Sequence, residues 1–291
     1  MGGGVSLLQS ESANLPEETP WEFTICKHIV VRSSELIGQG SFSEVYRCTD
    51  GASNSLCAVK FPLRRSAATL RRLRSERNTF QRLARLSASK HLIASMHSAS
   101  GKGGIDPLSG RCYIVLEFAE LTLADVILER SDMGRGPFEL AATCALMQHI
   151  SCALHLLHAK LTLVHGDVKP QNVAWFAEAR AGQPKAGRWK LIDVDGALPS
   201  GRRQNLHRNA FFTAPYTAPE VAAALIEGRT CCVQPTYDSF SLGCVVLELL
   251  LQQNPLYVKW RTFCEADGAG GEEAYFRWLA DPATPIELGP A

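Results

Sequence analysis

Short stretches in which apolar and polar residues alternate dominate the chain from about residue 29 to residue 62. Glycines and a turn at residues 49–51 separate these stretches, a spacing typical of antiparallel strands joined in a meander. Residues 66–86 carry apolar side chains near a helical repeat together with many arginines, which predicts a basic helix. Two strand candidates flank the turn-like segment 101–110, and the second, at residues 112–118, is almost wholly apolar, as a buried strand would be.

Further along the chain the pattern becomes helical. Four apolar residues follow a near-helical spacing: Leu146, Ile150, Leu154 and Leu157. A second apolar helix is predicted from about residue 238 to residue 252. A chain that is β-rich early and helical late is typical of an α+β fold with two unequal lobes. The predicted division is a flexible leader at 1–28, a small sheet lobe ending in a hinge at 29–119, and a large helical lobe at 120–291 that is short at its C-terminus.

Composition narrows the classes of function. The chain has 291 residues, of which 46% are hydrophobic and 20% charged, as in a folded globular protein. The formal net charge of +1 provides no overall field for nucleic acid, so we expect no nucleic-acid partner. Ten cysteines include no CxxC pair, which argues against a zinc site. Without a secretory signal or an apolar run of membrane-spanning length, we expect a cytoplasmic protein, and the sequence carries no signal of oligomeric state.

A glycine-rich turn between two predicted strands is the first candidate for chemistry. It contains Ile37, Gly38, Gly40 and Ser41, and its bare backbone could approach a phosphate closely. A dinucleotide-binding fold would need a helix directly after these glycines, whereas residues 45–49 predict another strand. By itself the turn is equally typical of an ordinary hairpin.

A lysine lies within the apolar strand that follows. A buried ammonium group is avoided unless it meets an anion, so Lys60 needs a carboxylate or phosphate partner. Glu76, on the predicted basic helix, is the single carboxylate between residues 61 and 90. We therefore predict an ion pair between Lys60 and Glu76 that holds the ammonium toward phosphate oxygens.

The strongest signal is the sequence His-Gly-Asp-Val-Lys-Pro-Gln-Asn at residues 165–172, followed by Asp-Val-Asp-Gly at residues 193–196. The glycine-rich turn, Lys60 and Glu76 precede these segments, and Ala-Pro-Glu follows at residues 218–220. In this order the motifs resemble those of the eukaryotic protein kinase family, of which the chain would be an HGD, non-RD variant. The resemblance extends from about residue 35 to about residue 251.

This resemblance implies a bilobal protein-kinase-like fold and the transfer of the γ-phosphate of ATP to a protein substrate, with ATP and Mg²⁺ as cofactors. Lys169-Pro170 follows the catalytic aspartate of the motif, and Thr213 lies seven residues before Glu220. Both features favour the serine/threonine branch of the family over the tyrosine branch.

The resemblance also implies roles for individual residues. Asp167 would orient the substrate hydroxyl and Lys169 would steady the transferred phosphoryl group. Asn172 and Asp193 would hold Mg²⁺ against the phosphates. Lys60 and Glu76 complete the catalytic set. The nucleotide would be bound by residues of the glycine-rich turn, the neighbouring strands and the hinge: Ile37, Gly38, Gly40, Ser41, Val45, Ala58, Lys60, Glu117 and Ala119.

Two departures from the family pattern leave alternatives open. Gly166 replaces the arginine that usually contacts a phosphorylated activation loop, so we expect activation without that contact. Val194 and Asp195 replace the Phe-Gly of the metal-binding triplet, and an alternative register makes Asp195 the metal ligand. These changes allow a second interpretation, a pseudokinase or scaffold that binds nucleotide or partners without turnover. The HGD motif also resembles that of small-molecule kinases of the aminoglycoside and choline type, although Lys169 argues against that interpretation.

The N-terminus carries a further signal. Met1-Gly2 followed by Ser6 fits the N-myristoylation pattern, with Gly2 as the acceptor. Because one acyl chain gives only marginal, reversible binding, we expect at most weak peripheral membrane association.

Overall fold

The computed structural model describes residues 22–39, 42–63, 66–86, 92, 103–105, 112–178, 186–206 and 212–283. The predicted acceptor Gly2 and the loop residues Gly40 and Ser41 lie outside these ranges.

The small lobe is built on a seven-stranded antiparallel sheet. Its strands are β1 (Glu22–Ile25), β2 (Ile29–Arg32), β3 (Leu36–Gln39), β4 (Ser43–Asp50), β5 (Ser55–Pro62), β6 (Gly103–Ile105) and β7 (Cys112–Glu117). Their order is β1-β2-β4-β5-β7-β6, and β3 pairs with β4. The residues described in this lobe also form one helix, α1 (Ala67–Ala84). The predicted meander, basic helix and buried strand are thus all present.

Two boundaries of the small lobe differ from the prediction. The leader was expected to extend to residue 28, but β1 pairs with β2 along its whole length. The sequence gives little sign of β1, because its alternation of apolar and polar residues is short. Only Phe23 and Ile25 point inward, and Ile25 is fully buried. Strand β6 falls inside the segment 101–110, which was predicted to be a turn. The two glycines of β6 are typical turn residues in a sequence, but in the structure they pair with β7.

Strand β5 and helix α1 form the wall of the cleft between the lobes. Successive residues of a strand face opposite sides, so Val59 and Phe61 are buried in the outer core, whereas Ala58 and Lys60 face the cleft. Helix α1 begins at a capping box in which the Ser66 hydroxyl accepts a hydrogen bond from the Thr69 amide at 3.1 Å. Its buried side chains recur every three or four residues: Thr69, Leu73, Glu76, Thr79, Phe80 and Leu83.

The large lobe is mainly helical, in agreement with the predicted α+β fold. Its helices are α2 (Leu123–Asp132), α3 (Leu140–His155), α4 (Pro219–Ile226), α5 (Thr236–Leu251), α6 (Pro255–Asp267) and α7 (Gly271–Ala280), and a π-helical turn, Leu156–Leu161, continues α3. Its strands are β8 (Leu121–Thr122), β9 (Leu163–Val164), β10 (Val173–Glu178), β11 (Ala186–Leu191), β12 (Leu198–Pro199), β13 (Arg203–Asn205) and β14 (Thr230–Cys232). Helices α3 and α5 are the two that the hydrophobic pattern predicts.

One continuous core connects the two lobes. It runs from Ala58 and Leu73 in the small lobe to Leu146 and Ile150 on α3 and Val245 on α5. By length and composition alone, the helical segment Leu140–Leu161 could cross a membrane. The expectation that the chain has no apolar run of that length missed this segment. Its inner side is part of this core, as is typical of the central helix of a folded domain.

Candidate active site

Lys60 lies at the centre of a cluster of acidic side chains. Its side chain is 5% exposed, and the ammonium group lies 3.0 Å from the carboxylate oxygens of Glu76. It also lies 2.7 Å from Asp193 Oδ1 and 3.4 Å from Asp195 Oδ2. The structure therefore brings the predicted pair, Lys60 and Glu76, into contact, and it places both candidate metal ligands of residues 193–196 on the same ammonium.

The charges in this cluster are unbalanced. Burial opposes the charge on Lys60, but Asp193, Glu76 and Asp195 outweigh it and raise the pKa of the ammonium. Burial opposes ionisation of Asp193 as well, yet Lys60 overcomes it and lowers the pKa of that carboxyl. Burial raises the pKa of Glu76 to about 8 against the attraction of Lys60, and repulsion from the two aspartates adds to the rise. One ammonium thus cannot neutralise three carboxylates, and the excess negative charge is expressed in the raised pKa of the most deeply buried of them, Glu76.

The catalytic loop, residues 165–172, is anchored from below by helix α5. The fully buried carboxylate of Asp238 accepts hydrogen bonds from the backbone N–H groups of His165 and Gly166, both at 2.8 Å. It also lies 2.7 Å from His158 Nε2, on the π-helical turn that precedes the loop. Because hydrogen bonds to an ionised acceptor are the stronger kind, this one side chain fixes the entry of the loop.

The backbone of the site contains two residues in the left-handed region. Gly166 has a φ of +81°, and a Cβ atom added there would meet no heavy atom within 4 Å. The position therefore favours glycine because of its backbone conformation and not because of crowding. Asp193 has a φ of +63°, which is uncommon for a residue with a side chain. Such residues cluster at functional sites, where the surrounding structure holds them.

Asp167 is the hub of a compact polar network. Its Oδ1 accepts a hydrogen bond from the Thr213 hydroxyl at 2.7 Å, and its Oδ2 lies 2.7 Å from Lys169 Nζ. Lys169 also donates to the Thr213 hydroxyl at 2.8 Å, and Asn172 Nδ2 donates to Asp167 Oδ2 at 3.1 Å. Thr213 is thus part of the site. Its spacing of seven residues from Glu220 in the sequence indicates only the branch of the family.

The two predicted metal ligands lie on neighbouring segments. The Ile192 amide donates to the Asn172 carbonyl at 2.8 Å, which ties the end of the catalytic loop to the residue before Asp193. His165 Nε2 lies 2.9 Å from the Ile192 carbonyl and strengthens this junction. Within the described part of the chain no group of three His, Cys, Asp or Glu side chains could hold a metal alone. Mg²⁺ prefers oxygen ligands and is bound by one or two carboxylates together with the phosphates of a nucleotide, and the Asp193 carboxylate and the Asn172 amide oxygen are of the kind that would hold it.

The predicted adenine-binding residues come from β3, β4 and β5. Val45 is half-buried against the main core, and Ala58 is buried on the cleft side of β5. Gly38 pairs with Val45 across the β3–β4 hairpin, and Ile37 beside it is half-exposed. The three adjacent strands β3, β4 and β5 therefore carry these four residues, and Lys60 is paired with Val45 across β4 and β5.

The hinge follows β7 at the back of the cleft. Glu117 ends the strand, and its carboxylate is held by Lys190 Nζ at 2.7 Å and 2.9 Å. The ammonium of Lys190 also lies over the Phe176 ring, 4.7 Å from its centroid. Because the Glu117 side chain is engaged there, its contribution to a nucleotide would come from the backbone, as the resemblance implies, and Ala119 lies two residues further along. No signal in the sequence marked Lys190, which lies on β11.

Comparison with known proteins identifies the family. The model of the protein kinase domain matches residues 31–268. The chain is 29% identical to "Serine/threonine-protein kinase fused" of Drosophila melanogaster over 227 residues, which are 76% of this chain and 24% of that protein. It is 30% identical to human "Ribosomal protein S6 kinase alpha-4" over 239 residues, 81% of this chain and 26% of that protein.

An archaeal relative, "Serine/threonine-protein kinase ArnS" of Sulfolobus acidocaldarius, is 32% identical over 157 residues, which are 50% of this chain and 24% of that protein. The chain thus spans about a quarter of the length of these three relatives. The domain match covers most of the chain, and two of these three relatives carry the name serine/threonine-protein kinase. The chain belongs to the protein kinase family, of the serine/threonine type.

Proposed function

We propose that this protein is an active, ATP-dependent protein kinase that transfers the γ-phosphate of ATP to serine or threonine residues of protein substrates with the aid of Mg²⁺. The observation that carries this proposal is the network around Asp167. Lys169, Thr213 and Asn172 all contact that carboxylate, so the groups that the chemistry needs are present in one place and already oriented.

Each residue of the network has a definite task. Asp167 accepts hydrogen bonds through both oxygens and is ready to orient a substrate hydroxyl and to receive its proton. Lys169 lies 2.7 Å from Asp167 and supplies positive charge where the phosphoryl group passes. Lys60 would bind phosphate oxygens of the nucleotide, and Asn172 and Asp193 would hold Mg²⁺, whose charge neutralises those phosphates.

The pseudokinase interpretation rests on Val194 and Asp195, which depart from the family triplet. These departures do not remove any of the charged groups named above. The small-molecule kinase interpretation is disfavoured by Lys169, which contacts both Asp167 and Thr213, and by the match to the protein kinase domain.

The test is phosphate transfer from Mg-ATP to a generic protein acceptor by wild type, Lys60→Met and Asp167→Asn. We expect wild type to label the acceptor and both variants to lose activity by about a hundredfold or more. The exposed residues Lys160 and Asp132 offer matched controls, since Lys160→Met and Asp132→Asn should retain activity. Nucleotide binding by wild type without transfer would support the pseudokinase, and transfer only to aminoglycosides or choline would support a small-molecule kinase.

A further inference from the structure

Asp195 holds a place on Lys60 that the family pattern does not provide. The family has glycine at this position, whereas here a carboxylate oxygen lies 3.4 Å from the buried ammonium. An ammonium group has three N–H donors. Glu76 at 3.0 Å, Asp193 at 2.7 Å and Asp195 together match that number. A phosphate oxygen can therefore reach Lys60 only by displacing one of the three carboxylates.

The three carboxylates are not equally easy to displace. Glu76 is on α1, and its side chain is 1% exposed, so it has no route into water. Asp193 makes the shortest contact, at 2.7 Å, and its side chain is the most exposed of the three, at 40%. Asp195 makes the longest contact, its side chain is 18% exposed, and it lines an open groove beside Arg71 and Arg72 of α1. Glu76 is therefore fixed on Lys60, Asp195 holds its N–H donor most weakly, and Asp193 is exposed enough to turn toward a ligand in the cleft.

Charge determines whether a phosphate finds an N–H donor of Lys60 unoccupied. Without a divalent cation, the negative phosphates of a nucleotide would approach Asp193 and Asp195 while these still share the single ammonium of Lys60. Like charges at such distances repel strongly where water is scarce. With Mg²⁺ on the phosphates the approaching ligand would carry a compensating charge, Asp193 would serve as a ligand of the metal, and the N–H donor of Lys60 that Asp193 now occupies would be open to the nucleotide.

We propose that Asp195 makes nucleotide binding by this kinase depend strictly on a divalent cation, because it competes with the phosphates for Lys60. This inference rests on the proposed binding of ATP in the cleft. It assigns to Asp195 a positioning role through Lys60, distinct from that of a metal ligand. By the same argument, glycine at this position leaves one N–H donor of Lys60 open to a phosphate that arrives without metal.

The experiment is calorimetric titration of the full chain with ATP, once with excess Mg²⁺ and once with EDTA. The quantity compared is the ratio of the two dissociation constants for wild type, Asp195→Asn and Asp195→Gly. We expect both variants to bind metal-free ATP about tenfold more tightly than wild type and to match it in Mg²⁺, so that the ratio shrinks about tenfold. The exposed residue Asp132 provides the control, since Asp132→Asn should keep the wild-type ratio.

Three outcomes would overturn the inference. Equal ratios in wild type and both variants would show that Asp195 does not compete for Lys60. Loss of affinity in Mg²⁺ by Asp195→Asn, matching that of Asp193→Asn, would make Asp195 a metal ligand. Absence of ATP binding by wild type even in Mg²⁺ would contradict the proposed function itself, and only that result would do so. Equal thermal unfolding midpoints of all proteins would exclude misfolding as the cause of a change.

Discussion

The two halves of the site are built in opposite ways. In the catalytic loop, the charge of Asp167 is balanced by Lys169, and Thr213 and Asn172 satisfy its oxygens. In the small-lobe half, Lys60 faces three carboxylates and cannot neutralise them. The first arrangement is complete in the free protein. The second carries surplus negative charge, which the proposed Mg²⁺ would offset.

This difference shows which half the fold determines and which half a ligand determines. The catalytic loop takes its geometry from a buried anchor, Asp238, that touches backbone and not substrate. The Lys60 cluster would take its final geometry from the charges of the proposed nucleotide and metal.

Removal of the anchor has the largest expected effect. In Asp238→Ala, the buried N–H groups of His165 and Gly166 lose their acceptor, and His158 loses its partner. Each unsatisfied buried group costs about 1–3 kcal/mol, so the free energy of unfolding should fall by about 3–5 kcal/mol. Urea denaturation measures this loss.

Asp238→Asn is the graded comparison, because its amide oxygen can still accept one hydrogen bond. It should lose less stability than Asp238→Ala, and the exposed Asp132→Ala should lose little. A loss for Asp238→Ala no greater than that of Asp132→Ala would mean that the loop does not depend on this anchor.

The surplus charge of the Lys60 cluster predicts a pH dependence. Burial raises the pKa of Glu76 from its ordinary 4.5 to about 8. Between these values the folded state binds more protons at Glu76 than the unfolded state does, so its contribution to stability is full below 4.5 and declines as the pH rises through 8. Relative to Glu76→Gln, which cannot titrate, wild type should therefore lose on the order of 3 kcal/mol between pH 5 and pH 8.

Urea denaturation at several pH values gives the free energy of unfolding of both proteins. Groups that titrate equally in the two proteins cancel when one free energy is subtracted from the other. The exposed residue Glu129 supplies the control, because Glu129→Gln should follow wild type at every pH. A constant gap between wild type and Glu76→Gln would show that Glu76 keeps its charge and that Lys60 neutralises it.

Most of the fold was predictable, because its main strands and helices have strong hydrophobic patterns of their own in the sequence. The apolar runs at β5 and β7 and the helical spacing at α1, α3 and α5 each appear in the structure near their predicted positions. The failures occurred where a pattern was too short to be distinctive. Strand β1 offers only two inward residues, and β6 is made largely of glycine.

The site was predictable only as far as its motifs reach. The contact between Lys60 and Glu76 could be inferred because no other carboxylate was available nearby in the sequence. The contacts of Asp195 with Lys60 and of Lys190 with Glu117 span more than seventy residues and carry no motif. Only the folded chain brings such pairs together, and it is these contacts that set the balance of charge in the cleft.

The backbone of the catalytic loop gives the smallest expected effect. Gly166 has a φ of +81° and open space around its missing Cβ, so Gly166→Ala tests conformation alone. A residue with a side chain in this region costs about 1–2 kcal/mol, and we expect the free energy of unfolding to fall by about 1 kcal/mol. Gly136→Ala is the matched control, because that glycine also has open space but no positive φ, and it should leave stability unchanged or raise it slightly. Equal effects of the two substitutions would show that the loop relaxes its backbone when a side chain is added, and that the anchor at Asp238 holds it less tightly than the two hydrogen bonds imply.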